Sequence, residues 1–600
     1  FLNTAQSLGL LAIVRPGPHI NAELTYFGIP ERVIWNQDCQ ARSPRGKPVV
    51  LPVPPLAFPV PSYASEAFHD ETARWFRAVG AVVAPRLHPA GPVVLVQVDN
   101  EGALYFRDGA YDQDYHPDAV ARFRAFVREK YGSLEALAEA YGPPPAGDEE
   151  ARFATLAPPT RFDAKGPGDL ARHLDWAEFH EELLASAFTR FSRALEAAGI
   201  EGVPTSHNLP PGQDATPLNP ARVAGAVDLV GIDYYHPASE PSRAIIARRT
   251  TELASRCEGL AVPAFGAEMG AGFPPFFPPL DARDNAFALM TALAYGLRAF
   301  NLYMAVERDR WIGAPIDRRG RARPSASFFR RLTRALDASD FFSLTRRAPV
   351  RVLIPRRERR IARAMHAFGP VTGAFFSVAG EGPRTSASEE ELGLGHPIGI
   401  ESDLFARAFE EALDARGVPF ASIGGEDRDV SLDGARWIVC ATSGGLKLEL
   451  FDRLADAVAG GARVSIGPRF PTLAGHGLVG PRADLTRLLP GHVASGVPLL
   501  VTDDPAAAAA AVAAAVTELA LPTYACEPAS VRATVHHDRA GAPRVLFLVN
   551  GGEADCVARV ALGAEIAQAT DLLDGDGFAG PRGVIDVRIA PRTVRMLALA

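Results

Sequence analysis

The chain has little cysteine. Its five residues (Cys39, Cys257, Cys440, Cys526 and Cys556) are odd in number, scattered, and form no C-x-x-C pair. A disulfide scaffold and a cysteine zinc site are both disfavoured by that pattern. Long apolar runs are missing too. The longest, the Ala/Val tract Ala506–Val516, has about half the length that a bilayer-crossing helix needs. No strongly basic domain occurs, and 62 basic against 70 acidic residues leave a formal charge of −8, so neither nucleic acid nor a membrane is an expected partner. No G-x-G-x-x-G follows a first strand, and His69 and His88 lack ligand-like spacing to other side chains. Neither a dinucleotide, nor a metal, nor any other cofactor is expected.

What is present is ordinary for a globular protein: 47% apolar and 22% charged residues over 600 positions, too long for a single core. From Phe1 to about Leu336, short apolar runs alternate with helical stretches. The runs are Leu10–Val14, Val93–Val98, Gly202–Thr205, Leu229–Ile232, Val262–Phe265 and Ala299–Tyr303. The helices are Ala67–Val79, Pro117–Lys130, Leu174–Ala198, Pro241–Cys257 and Asp284–Leu297. Continuous rather than alternating apolar strands are those of a parallel sheet covered on both faces. Each run ends in polar side chains (Arg15, Asn100-Glu101, Ser206-His207, Asp233-Tyr234, Glu268, Tyr303), which is the habit of a (β/α)8 TIM barrel. Six runs, preceded by a helix over Phe1–Leu8, predict an α/β barrel that lacks its first two βα units in this sequence. Alone, such a barrel is expected to be poorly soluble or inactive.

A second, α/β domain is expected from Val350–Ile354, Trp437–Ala441, Ala462–Ile466 and the helices Asp403–Arg416, Leu448–Ala459 and Ala506–Leu519. Alternation in Val531–His536, Ala542–Val549, Val557–Leu562, Val584–Ile589 and Val594–Leu599 predicts a small antiparallel β domain, with Asn550-Gly551 as a hairpin turn. The expected division is therefore 1–345, 346–525 and 526–600.

Two clusters carry chemistry. Val93–Val98 emerges as Asp99-Asn100-Glu101, and Val262–Phe265 as Gly266-Ala267-Glu268-Met269-Gly270. A carboxyl at the mouth of an apolar barrel has its pKa raised by burial, which suits a general acid. Gly266 and Gly270 would let backbone and ligand approach closely. Opposed across the mouth, two such carboxyls would suit a retaining glycosidase at about 5–5.5 Å and an inverting one at about 6.5–9.5 Å. Singly, either glutamate reads equally well as a solvated or ion-paired loop residue.

These motifs, in this order, resemble the retaining clan of (β/α)8 glycosidases. Leu11–Pro30 (LAIVRPGPHINAELTYFGIP), Gln97–Glu101 (QVDNE) and Asn301–Met304 (NLYM) are similar to segments of family 35 β-galactosidases. The block from Glu307 to Gly320, and the order barrel, amidotransferase-like α/β domain, small β domain, resemble family 42 β-galactosidases. His19 stands where family 35 has Tyr, and Ala305-Val306-Glu307 where it has Gly-Gly-Thr.

The resemblance implies a retaining exo-β-glycosidase, a β-galactosidase first of all. Glu101 is then the acid/base and Glu268 the nucleophile. Asn100 donates to the sugar 2-hydroxyl, Asn21, Ala22 and Glu23 hold galactose hydroxyls, and Tyr303 reaches the sugar or the nucleophile. A homotrimer through the second domain is implied as well. Among lesser candidates, Tyr234 is chosen over Tyr235 as the partner of the nucleophile. Trp311 and Trp35 could stack on a sugar face, His207 could touch substrate, and Arg15 could support Glu23. Cys440, with no His-x-Glu partner, reads as a small buried hydrophobe. The alternatives are a β-glycosidase for another sugar, such as a glucoside or arabinoside, and a non-catalytic carbohydrate-binding protein.

Overall fold

The computed structural model describes the chain except for residues 23, 54–55, 103–108, 143–148, 166, 211–216, 275–278, 366–399, 427–429, 443–444, 470–472, 475–504, 563–565, 567 and 581–582. The chain divides into two compact units, Phe1–Gly231 with Arg357–Ile400 and Leu473–Arg482, and Ile232–Arg356 with Glu401–Thr472 and Ala483–Ala600.

The first unit holds the strands β1 (Ala12–Gly17), β2 (Val93–Val98) and β3 (Thr205–Leu209), paired in parallel in that order. β2 reads VVLVQV and is buried almost throughout, as a strand covered on both faces must be. Helix α1 (Glu66–Val83) starts where the Ser65 hydroxyl accepts the Phe68 N–H at 3.1 Å, an N-cap worth about 1 kcal/mol. Its Phe68 and Phe76 pack with Leu184, Phe188 and Phe191 of α2 (Leu170–Glu196) and with Val93, Val96 and Val98 into one core.

The second unit takes up the chain within β4 (Leu229–Tyr234) and continues with β5 (Phe265–Gly270) and β6 (Ala299–Tyr303). All six strands belong to one sheet, ordered as in the chain, with helices between them, which is the barrel arrangement expected. Helix α3 (Glu240–Leu260) is capped by Ser239, and α4 (Ala282–Ala294) by an Asp281/Asp284 capping box.

The same unit contains a four-stranded parallel sheet of β7 (Val350–Ile354), β8 (Phe420–Gly424), β9 (Trp437–Thr442) and β10 (Arg463–Pro468), in the order β8-β7-β9-β10. Helix α5 (Ile400–Ala415) is tied to α3 by buried charge. Arg243, 1% exposed, pairs with Asp414, which also accepts from the Tyr295 hydroxyl at 2.7 Å. Arg248 pairs with Glu410 and Asp403, both at 2.7 Å. Arg532 of the last domain closes the set on Glu411.

That domain has two antiparallel sheets. One runs β12 (Val531–His537), β13 (Pro543–Asn550), β18 (Thr593–Leu599), β15 (Gln568–Asp571), β16 (Gly577–Ala579). The other runs β11 (Cys526–Glu527), β14 (Cys556–Ala561), β17 (Val584–Ile589).

Two local expectations are corrected. β3 and β5 lie three residues further along the chain than their apolar runs, because Ser206, His207, Asn208 and Glu268 are buried inside the strands rather than beyond them. Asn550-Gly551 is no hairpin turn, since β13 and β14 belong to different sheets. The Asn550 amide instead donates to the carbonyls of Ala554 and Ala590, each at 3.0 Å, and knots that crossing.

Candidate active site

In the first unit, the chain leaves β2 through a polar lattice. Arg15 Nη1 donates to Asn100 Oδ1 at 2.5 Å, and Asn208 Nδ2 donates to the same oxygen at 3.2 Å. With its carbonyl oxygen so occupied, Asn100 turns Nδ2 towards Glu101 Oε2, at 3.3 Å. Asn208 Oδ1 accepts both the Glu101 N–H at 3.1 Å and Gln97 Nε2 at 2.7 Å. Glu101 is thus held through backbone and carboxylate alike, and it is 6% exposed. Both amides have one orientation that satisfies every bond.

Asp99, one residue further back, is wholly buried. Its Oδ1 accepts the His19 N–H at 3.0 Å and its Oδ2 the Tyr63 hydroxyl at 2.6 Å. Burial pushes this carboxyl up to about 7, against the pull of the Tyr63 hydrogen bond. Burial, aided by the charge of Arg15, holds the His19 imidazole down at about 3, and burial holds His207 at about 4, so both rings are neutral. His207 Nδ1 lies 2.8 Å from the Val98 carbonyl, a structural bond.

Backbone strain gathers in the same place. Of the eleven non-glycine residues with positive φ among those described, six lie here: Asn21, Ala22, Tyr26, Phe27, Asp99 and Glu101. Each costs on the order of 1–3 kcal/mol, and strain concentrated in this way marks segments whose conformation is imposed for function. Asn21 and Ala22 sit at the tip of a loop closed by Ile20 N–H to Phe27 O at 2.9 Å. Glu23 lies outside the described residues.

In the second unit, Glu268 projects from β5 and is 8% exposed. The Tyr235 hydroxyl donates to Glu268 Oε2 at 2.5 Å. Burial and the neighbouring carboxylate push this phenol well above its usual range, so it stays a donor. Here the expectation for Tyr234 is overturned. Consecutive strand residues point to opposite faces, and Tyr234 faces α3, where its hydroxyl meets Thr250 Oγ1 at 2.8 Å. A Cβ at Gly270 would lie 3.1 Å from the Tyr235 ring, so glycine leaves room there for that tyrosine.

The Tyr303 ring stands edge-on to Trp311 at 4.8 Å, with Tyr235 6.1 Å from the same indole. Trp311 is 2% exposed, and its Nε1 donates to the Ala271 carbonyl at 2.9 Å, so it braces the two tyrosines. The Tyr303 hydroxyl accepts from Arg308 at 2.9 Å. Trp35 is half-exposed on its helix end and joins neither group.

The structure therefore collects Arg15, Asn100 and Glu101 in one cluster, and Glu268, Tyr303 and Trp311 in another. It adds Gln97, Tyr63, Asn208 and Tyr235, of which the sequence motifs point to Tyr235 alone. The polar stretch Ser206-His207-Asn208 after an apolar run was the available signal for Asn208. No cluster of metal-ligating side chains occurs among the described residues. Nor is any described helix long and apolar enough to cross a membrane.

Residues 60–258 match the family model Glyco_hydro_42, described as β-galactosidase; the match includes Glu101 and ends before Glu268. Among solved structures, the β-galactosidase from Bacillus circulans sp. alkalophilus superposes with a TM-score of 0.68 at 15% identity, over 95% of this chain and 88% of that one. The β-galactosidase from Rahnella sp. R3 gives 0.70 at 14% identity, over 100% and 89%. At such identities the likeness is one of fold: a barrel followed by further domains.

Of the curated relatives, the exo-β-D-glucosaminidase of Pyrococcus horikoshii is 30% identical over 188 residues, 30% of this chain and 22% of that protein. The β-galactosidase of Mus musculus is 33% identical over 129 residues, 21% and 16%. The chain spans less than half the length of three curated relatives that it matches, from 16% to 42%.

Proposed function

We propose that this chain carries the activity of a retaining exo-β-glycosidase that removes terminal β-D-galactosyl residues by double displacement. The observation that carries the reading is the unequal dressing of two buried glutamates at barrel-strand ends. Glu101 sits in an amide lattice beside Asn100, and Glu268 accepts a hydrogen bond from the phenol of Tyr235.

In the first step, a Glu268 carboxylate oxygen forms a bond to the anomeric carbon as the bond to the aglycone oxygen breaks. The proton of Glu101 passes to that oxygen. In the second step, Glu101 takes a proton from water, the water oxygen bonds to the anomeric carbon, and the ester to Glu268 is released. Tyr235 orients Glu268 for attack, while Asn100, Asn21, Ala22, Glu23 and Tyr303 are the sugar contacts of this reading.

A 2-deoxy-2-fluoro-β-galactoside with a good leaving group tests it, since the fluorine slows both steps and the leaving group restores the first. The expected result is a stoichiometric ester, located by peptide mass spectrometry on Glu268. Labelling of any other carboxylate, or none, overturns the assignment. The likeness to a glucosaminidase favours β-D-glucosaminides as the second reading. A nitrophenyl glycoside panel separates the two, with galactoside expected to give the highest kcat/KM.

Tyr235→Phe removes one hydrogen bond to a charged group, worth about 1.5–3 kcal/mol, so kcat/KM should fall roughly 10- to 100-fold. Tyr234→Phe should leave kcat/KM within about threefold of the native value.

A further inference from the structure

We propose that Asp99 is the positioning residue of the acid/base, locking the end of β2 so that Asn100 and Glu101 are presented correctly; this rests on the role of Glu101 given above. Every polar atom of Asp99 is occupied. Its N–H donates to the Gly17 carbonyl at 3.0 Å, and its own carbonyl accepts from Gln97 Nε2 at 3.3 Å. Its carboxylate takes the His19 N–H on one oxygen and the Tyr63 hydroxyl on the other. The side chain therefore ties the exit of β1 and the approach to α1 to a single point on β2.

The tie is needed because the backbone on either side of Asn100 lies in the left-handed region, with φ of 59° at Asp99 and 50° at Glu101. Side chains with a Cβ leave that region unless contacts hold them there, and a short acidic side chain tolerates it best. Relaxation of either residue would swing Asn100 out of its bonds with Arg15 and Asn208, and Glu101 with it. Ionised Asp99 offers an acceptor oxygen to each donor; an asparagine offers one, so its N–H2 would either face the His19 N–H or force the Tyr63 hydroxyl to turn and accept.

Asp99 is too deeply buried to touch substrate, and its effect must pass through Glu101. That distinction can be measured. An alkyl β-galactoside needs a proton on its leaving oxygen; a 2,4-dinitrophenyl β-galactoside does not. For the intact chain, Asp99→Asn should lower kcat/KM about 100-fold on the alkyl substrate and less than about fivefold on the dinitrophenyl one. Azide should raise its kcat on the dinitrophenyl substrate, as is expected for Glu101→Ala. Tyr63→Phe, which deletes one hydroxyl and keeps the ring, should show the same split at about tenfold, and it serves if Asp99→Asn does not fold.

Equal losses on both substrates, or no loss, in the folded variants overturn the proposal while the split in Glu101→Ala stands. Absence of the split in Glu101→Ala itself removes the acid/base assignment and the proposal together.

Discussion

Glu268→Gln is expected to lower kcat on a nitrophenyl β-galactoside by about 10⁴-fold or more, with KM little changed. The amide keeps the shape of the side chain, and its carbonyl oxygen can still accept from Tyr235. It cannot form the ester through which the reaction is split into two easier steps. Glu268→Ala in the presence of azide carries a second signature: turnover returns and the product is the α-galactosyl azide, of inverted configuration. Glu101→Ala with azide gives the β-azide instead, because its nucleophile is intact. A Glu268→Gln enzyme within tenfold of the native rate, verified free of native contamination, would sink the assignment of the nucleophile.

The second large effect concerns acid. Burial holds His19 and His236 at about 3 and His69, His173 and His207 at about 4, while His180 and His536 lie well below the ordinary value. Nearby guanidinium groups add to this, Arg363 for His180 and Arg298 for His536. Each ring titrates at about 6.5 in the unfolded chain, so below that pH the unfolded state binds protons that the folded state refuses. The penalty is nil above pH 6.5 and grows as pH falls towards about 4, by up to about 1.4 kcal/mol per pH unit for each ring.

Asp99 works in the opposite sense. Its raised value means that the folded state holds a proton between about 4 and 7 where the unfolded state has lost it, so its contribution declines as pH rises. Asp114, also raised by burial, acts with it, but eight lowered imidazoles, His537 included, leave acid destabilisation dominant. The urea midpoint, followed by tryptophan fluorescence, should be level from pH 7.5 to 6.5 and fall steeply by pH 5. A flat midpoint over the whole range contradicts the burial of these rings.

The ease with which each part could be read from the sequence follows from what its residues do. β2 and β17 were placed to the residue, one because it is apolar throughout and the other because it alternates. The short strands around Val50–Val53 and Leu56–Pro59 were missed, since four prolines over Pro52–Pro59 read as loop. β3 was placed too early because its sequence, TSHNL, resembles a turn. Those polar side chains are buried by one another and by the lattice around Glu101, which no local pattern reveals.

Both candidate glutamates were legible because each follows an apolar run and the motifs around them are ordered. Tyr63 and Asn208 were not, being 36 and 107 positions from the residues they hold. The preference for Tyr234 failed on parity: β4 includes Tyr234, and its alternation sends that ring towards α3, leaving the next residue to meet Glu268.

The ion pairs between α3 and α5 bear on how this architecture could be trimmed. Arg243 and Arg248 are rooted in a barrel helix, yet their counter-charges Asp414, Glu410 and Asp403 come from the following domain. Cutting the gene after β6 to obtain a minimal hydrolase would strip these counter-charges, leave Arg243 to Glu240 and the Tyr295 hydroxyl, and bare the face of α3 that α5 covers. The later domain is thus no detachable accessory. A pared-down version would have to keep α5 and the sheet it packs on, so that this face of α3 stays covered.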